Sequence, residues 1–201
     1  MKPAVVFIHG FGKSSTTWNL TEFNKNINIE KLIAAKARTL LVQIDDYQAD
    51  PAITVIPIVE KMKAENNKWT IVCHSIGVIY GLELLNHGLT ISGFCLIDPS
   101  TPTESFVQEE IEDGYINIGT YCRSNFLEKK LQIEPKIVFH VHLDYDPTDL
   151  DDFADGVEFY KQFVGKNDKS KIIIHPGKGH MIHYTDGPKI VNSILSLLQN
   201  K

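Results

Sequence analysis

Six short runs in this chain, Ala4–Ile8, Thr39–Ile44, Trp69–Cys73, Gly93–Ile97, Lys136–Leu143 and Lys171–His175, are apolar almost from end to end. Continuous apolar runs of this length, rather than period-two alternation, are the pattern of strands covered on both faces, as in a parallel sheet. Parallel neighbours need crossovers. The stretches Ile29–Arg38, Ala52–Glu65, Ile76–Asn86, Asp152–Val164 and Pro188–Gln199 have helical spacing and supply them. In Ile76–Asn86 the apolar positions Ile76, Ile79, Tyr80 and Leu84 fall on one helix face, and Gly88 gives a stop signal. In Pro188–Gln199, Pro188 suits the first turn, and Ile190, Val191, Ile194, Leu197 and Leu198 form a stripe. The expected fold class is therefore α/β: a three-layer αβα sandwich around a mainly parallel sheet of about six strands. Ligands of such sheets lie beyond the carboxyl ends of the strands. Functional residues are accordingly sought just after each run.

Composition limits the alternatives. With 201 residues, 43% hydrophobic and 22% charged, the chain suits one globular domain spanning 1–201. That length buries a sufficient core without disulfide or metal. A net charge of −5 gives no broad positive field, so no nucleic-acid partner is expected. Cys73, Cys95 and Cys122 form no CxxC, which indicates neither a disulfide framework nor a zinc ribbon. The apolar stretch after Met1-Lys2-Pro3 is too short for a signal segment or a membrane span, and a reduced, cytoplasmic protein is expected. Residues 99–135 lack a clean period and carry Phe106, Tyr115, Tyr121 and Phe126. A structureless loop of that length is uncommon in a compact domain, so a small helical insertion acting as a lid is expected. The acidic run Glu104–Asp113 reads as its solvated surface.

Chemistry-bearing residues follow the runs as the fold requires. After Trp69–Cys73 comes Cys73-His74-Ser75-Ile76-Gly77 and then a helix. This is the G-x-S-x-G nucleophile elbow with Cys73 in place of the first glycine, in its strand–turn–helix context. After Ala4–Ile8 comes His9-Gly10-Phe11-Gly12, with Trp18 further on. The amides of Phe11 and Ile76 are placed to form an oxyanion hole, Ile76 lying at a helix start where free N–H groups favour an anion. The phosphate-loop spacing before Lys13-Ser14 needs glycine where Phe7 stands, so nucleotide binding is not expected. A serine needs a base of near-neutral pKa, and the base needs a carboxylate. His180 in Gly177-Lys178-Gly179-His180 follows the last run and can supply the base. Asp144 and Asp146 after Lys136–Leu143, or Asp98 after Gly93–Ile97, can supply the acid. His140 and His142 share a strand face, but no third ligand stands at characteristic spacing, so neither metal nor cofactor is expected.

Taken together, the HGFG loop with Trp18, the CHSIG elbow, Asp146-Pro147 after the penultimate strand and GKGHMIH after the last resemble the α/β-hydrolase fold superfamily over nearly the whole chain. The resemblance implies a small esterase-like serine hydrolase with a minimal sheet ordered 2-1-3-4-5-6. It implies Ser75 as nucleophile, His180 as base and Asp146 as acid, with Asp144 and Asp98 as alternatives. It implies oxyanion donors at Phe11 and Ile76, and Gly10, Trp18 and His74 on the substrate side. The partner is then a small-molecule ester, and no cofactor is needed. Two departures stand out: Cys73 in the elbow, and Asp45-Asp46-Tyr47-Gln48-Ala49 where a glycine-bearing turn is common. The rival expectation keeps the fold for ligand binding, lyase or perhydrolase chemistry.

Overall fold

The structure, a computed structural model, describes residues 3–18, 28–65, 67–128, 133–143, 159–160, 170–177 and 179–199. Strands β1 (Pro3–Ile8), β2 (Arg38–Val42), β3 (Lys68–His74), β4 (Ile91–Ile97), β5 (Lys136–Leu143) and β6 (Lys171–Pro176) form one sheet in the order β2-β1-β3-β4-β5-β6. Every adjacent pair is parallel. The continuous apolar runs are explained by burial on both faces. Along β1, Ala4, Val6 and Ile8 enter one core while Val5 and Phe7 enter the other.

The helices are α1 (Ile29–Ala34), α2 (Pro51–Thr54), α3 (Ile56–Glu65), α4 (Gly77–Glu83), α5 (Glu104–Glu112), α6 (Ile116–Cys122), α7 (Ile182–Thr185) and α8 (Gly187–Leu198). The first core takes Val59 and Met62 of α3, Val78, Ile79 and Leu82 of α4, and Val107, Ile118 and Tyr121 of α5 and α6. The second takes Ile29 and Ile33 of α1 and Ile190, Ile194 and Leu197 of α8. The helix expected over Ala52–Glu65 is two, α2 and α3. Pro57 has no N–H to donate and its ring crowds the preceding turn, so the chain restarts at Ile56. The expected helix Asp152–Val164 lies outside the described residues apart from Phe159 and Tyr160, both buried.

This topology positions the site. The order reverses between β1 and β3: the chain leaves β1 toward one edge and goes from β3 toward the other. The loops after those two strands therefore part and open a crevice at their carboxyl ends.

Candidate active site

Ser75 stands directly after β3 with φ of 53°, in the left-handed region. Such a backbone costs a non-glycine residue about 1–3 kcal/mol and persists only where its surroundings hold it. Here its N–H donates to the Ile97 carbonyl at 3.0 Å, and its carbonyl accepts from Val78 at 3.1 Å and Ser100 at 3.3 Å. The space demanded by Cys73 is supplied from α4. A Cβ on Gly81 would stand 2.2 Å from the Cys73 Sγ, so the glycine missing from the elbow is matched by one on the facing helix.

The β1 loop approaches the elbow as closely as atoms allow. A Cβ on Gly10 would meet both the Ser75 Cβ and the His74 Nδ1 at 2.8 Å. The Gly10 carbonyl accepts from the Tyr47 hydroxyl at 2.9 Å and from the Lys13 N–H at 3.2 Å. The peptide unit is planar and trans. Anchoring that carbonyl therefore turns the Phe11 N–H the opposite way. Among the described residues, neither the Phe11 nor the Ile76 amide has a hydrogen-bond acceptor. Phe11 itself is half exposed, its ring edge-on to Tyr47 and Tyr115. Tyr115 stands between α5 and α6, so this pair of helices reaches the Phe11 ring.

Asp98 follows β4, also left-handed at φ of 43°. Its Oδ2 accepts from His180 Nδ1 at 3.0 Å and from His142 Nδ1, and its Oδ1 accepts from the His142 N–H at 2.9 Å. The carboxylate is buried, whereas the His180 ring is half exposed. Asp144 and Asp146 lie outside the described residues. The His180 carbonyl accepts from His74 Nε2 at 3.0 Å, which ties the histidine loop to the elbow. Since a carbonyl only accepts, Nε2 of His74 carries the proton and its buried Nδ1 is bare. Burial, and then the neighbouring His180, lowers the His74 pKa to about 4, so that ring is neutral at pH 7. The Ser75 hydroxyl makes no hydrogen bond to His180 in this structure.

The remaining expected site residues are placed as follows. Trp18 is buried beneath the β1 loop, against Phe7 and His183, rather than open to the crevice. His74 is buried between the rings of His180 and His183, at 4.7 and 4.4 Å. His140 and His142 share a strand face as expected but turn to different partners. His140 Nδ1 meets His175 Nε2 at 2.8 Å, and His175 Nδ1 donates to Asp186 at 2.8 Å. Tyr47 and His142 were not singled out as site residues from the sequence. The only sign of Tyr47 was its place in the altered turn, and that of His142 its spacing from His140.

No protein-family model matches the chain, and no curated protein matches it. Solved structures do. The peroxisomal α/β-hydrolase Lpx1 from Saccharomyces cerevisiae is similar with a TM-score of 0.68 at 12% identity, over 99% of this chain and 78% of that one. The esterase RhEst1 from Rhodococcus sp. ECU1013 gives 0.66 at 12% identity, over 99% and 91%. An epoxide hydrolase variant from Vigna radiata gives 0.64 at 11% identity, over 100% and 93%. At these identities the likeness is one of fold, and the fold is that of the α/β-hydrolases, with the strand order that the sequence resemblance implied.

Proposed function

We propose that this chain of α/β-hydrolase fold is a serine hydrolase that cleaves a carboxylic ester through an acyl-enzyme on Ser75. The observation that carries the reading is Ser75 itself, held in a strained backbone at the crevice where β1 and β3 part. Similar structures include an esterase and an epoxide hydrolase, so the fold alone does not choose the bond, and the residues must.

In this reading His180 Nε2 takes the Ser75 proton as the hydroxyl attacks the ester carbonyl. Asp98 holds Nδ1–H on the opposite side of the ring and steadies the imidazolium that forms. Asp98 is the acid assigned because its contact with His180 is in hand. The serine–histidine bond closes when substrate fills the crevice, a tightening common to such sites. The amides of Phe11 and Ile76, without an acceptor among the described residues, receive the oxyanion, each worth about 10²–10³ in rate. Water activated by His180 then releases the acid. Phe11, Tyr47 and Tyr115 offer an aromatic wall to an apolar acyl or alcohol group, with the insertion as a lid. No helix among the described residues is long and apolar enough to cross a membrane, and three unpaired buried thiols fit a reducing compartment such as the cytoplasm.

A panel of p-nitrophenyl esters of graded chain length tests this. Wild-type protein turns over at least one of them, and Ser75→Ala abolishes that turnover while melting within a few degrees of wild type. Turnover surviving in the alanine variant would refute the assignment. A well-folded wild type that hydrolyses none of the esters yet binds a ligand tightly would favour a non-hydrolytic role.

A further inference from the structure

The Asp98 carboxylate faces two imidazoles where the hydrolase reading needs one. One ligand atom from each of Asp98, His142 and His180 lies within 4.8 Å of the other two. We propose that this trio is a zinc site, and that zinc bound there switches off the chemistry at Ser75. Only the inhibition rests on the serine-hydrolase reading; the metal site does not.

Two imidazole nitrogens and one carboxylate oxygen suit zinc, which takes three protein ligands and leaves a fourth position open. Both rings present Nδ1 to the same oxygen, Oδ2, while Oδ1 is fixed by the His142 amide at 2.9 Å. A carboxylate oriented in this way by a backbone N–H has the outer support that metal ligands commonly have. Asp98 directly follows β4 and His142 lies on the adjacent β5, where Ile97 pairs with His140 and the Asp98 N–H donates to the His140 carbonyl at 2.7 Å. His180 follows Gly177 and Gly179, with φ of 62° and 65°. Tetrahedral zinc at ordinary bond lengths separates its ligands by about 3.3 Å. The His180–Asp98 contact of 3.0 Å and the shorter His142–Asp98 hydrogen bond both lengthen to admit the ion. The His142 and His180 side chains are 28% and 49% exposed, so an ion can reach them from solvent. Cys73, Cys95 and Cys122 are buried and do not compete for it.

Inhibition follows from the tautomer. To donate to Asp98, His180 carries its proton on Nδ1 and leaves Nε2 bare for the Ser75 proton. To bind zinc through Nδ1, the ring gives up that proton and takes one from solvent on Nε2, with no net change in its charge. The nitrogen that must accept from serine is then already protonated, and the metal has taken the carboxylate that steadied the imidazolium.

Isothermal titration of metal-stripped protein with zinc chloride, alongside ester hydrolysis at graded zinc, tests both halves. The expected result is 1:1 binding that Ser75→Ala retains and that His142→Gln and His180→Gln each weaken by about 10–100-fold. His180 is at the surface, so its variant remains informative should His142→Gln fail to fold. Zinc is expected to suppress wild-type turnover, EDTA to restore it, and His142→Gln to raise the half-inhibiting concentration at least tenfold. Equal zinc affinity in wild type and either variant would overturn the site. Full turnover at saturating zinc would overturn the inhibition. If no ester is turned over at all, the hydrolase reading fails and calorimetry still decides the metal site.

Discussion

At the scale of single residues, the elbow is a matter of volume and strain. Cys73 occupies the place where a nucleophile elbow normally keeps a glycine, and Gly81 leaves the room it needs. Gly81→Ala forces a methyl into that space, and overpacking of this kind costs about 1–3 kcal/mol. Urea unfolding should show that loss, and Cys73→Gly combined with Gly81→Ala should recover part of it. A Gly81→Ala protein as stable as wild type would contradict the packing. Asp98 carries a second prediction. Asp98→Asn leaves the shape but cannot hold the His180 tautomer, and kcat should fall by about 10⁴, as when the acid of such a triad is converted to its amide. Asp146→Asn should cost far less, and the reverse ranking of the two variants would move the acid to Asp146. The candidates for nucleophile and base could be named from short-range spacing: Ser75 lies between a strand and a helix, and His180 follows the last strand. The residues alone left the acid open among Asp98, Asp144 and Asp146, with Asp146 favoured by resemblance, because aspartates follow two different strands and only the sheet register and loop path decide which one meets the imidazole.

Elements were legible where their apolar pattern was long and unbroken, as in all six strands and α8. They were less so where a proline or a short turn intervened, as between α2 and α3. The stretch after β2 shows what a pattern cannot tell. In place of glycines it carries Tyr47, whose hydroxyl donates to the Gly10 carbonyl and meets His9 Nδ1 at 3.0 Å. Tyr47 is thus a positioning residue for the Phe11 amide, acting from an element that never touches Ser75. Tyr47→Phe keeps the ring on Phe11 but removes one of the donors that hold the carbonyl, leaving the Lys13 N–H and His9 Nδ1. The expected result is a fall in kcat of about tenfold, a fraction of what losing an oxyanion donor costs, with KM little changed. A rise in KM at constant kcat would instead make Tyr47 part of the substrate wall.

At the scale of the whole molecule, buried histidines couple the fold to pH. His140 is held to about 3 and His74 to about 4, burial being the main cause in both and a neighbouring imidazole, His175 or His180, the next. His183 and His9 are lowered too, again chiefly by burial. Below about pH 6.5 the unfolded chain takes up protons that the folded chain refuses, so stability falls as pH falls. Each such group contributes about 1.4 kcal/mol per pH unit between its ordinary value and its folded one. The urea midpoint should therefore be nearly level above about pH 7 and drop steadily from about pH 6.5 to pH 5, and a flat profile over that lower range would contradict the burial. Folding also gathers the β1 loop, the elbow and the histidine loop at one rim of the sheet, and the account stands on that meeting making one hydroxyl nucleophilic. Treatment with a fluorophosphonate followed by peptide mass mapping tests it most directly. The expected result is a single adduct on the peptide containing Ser75, lost in Ser75→Ala and slowed in His180→Gln; an adduct elsewhere, or equal labelling of the alanine variant, would rule out Ser75 as the nucleophile.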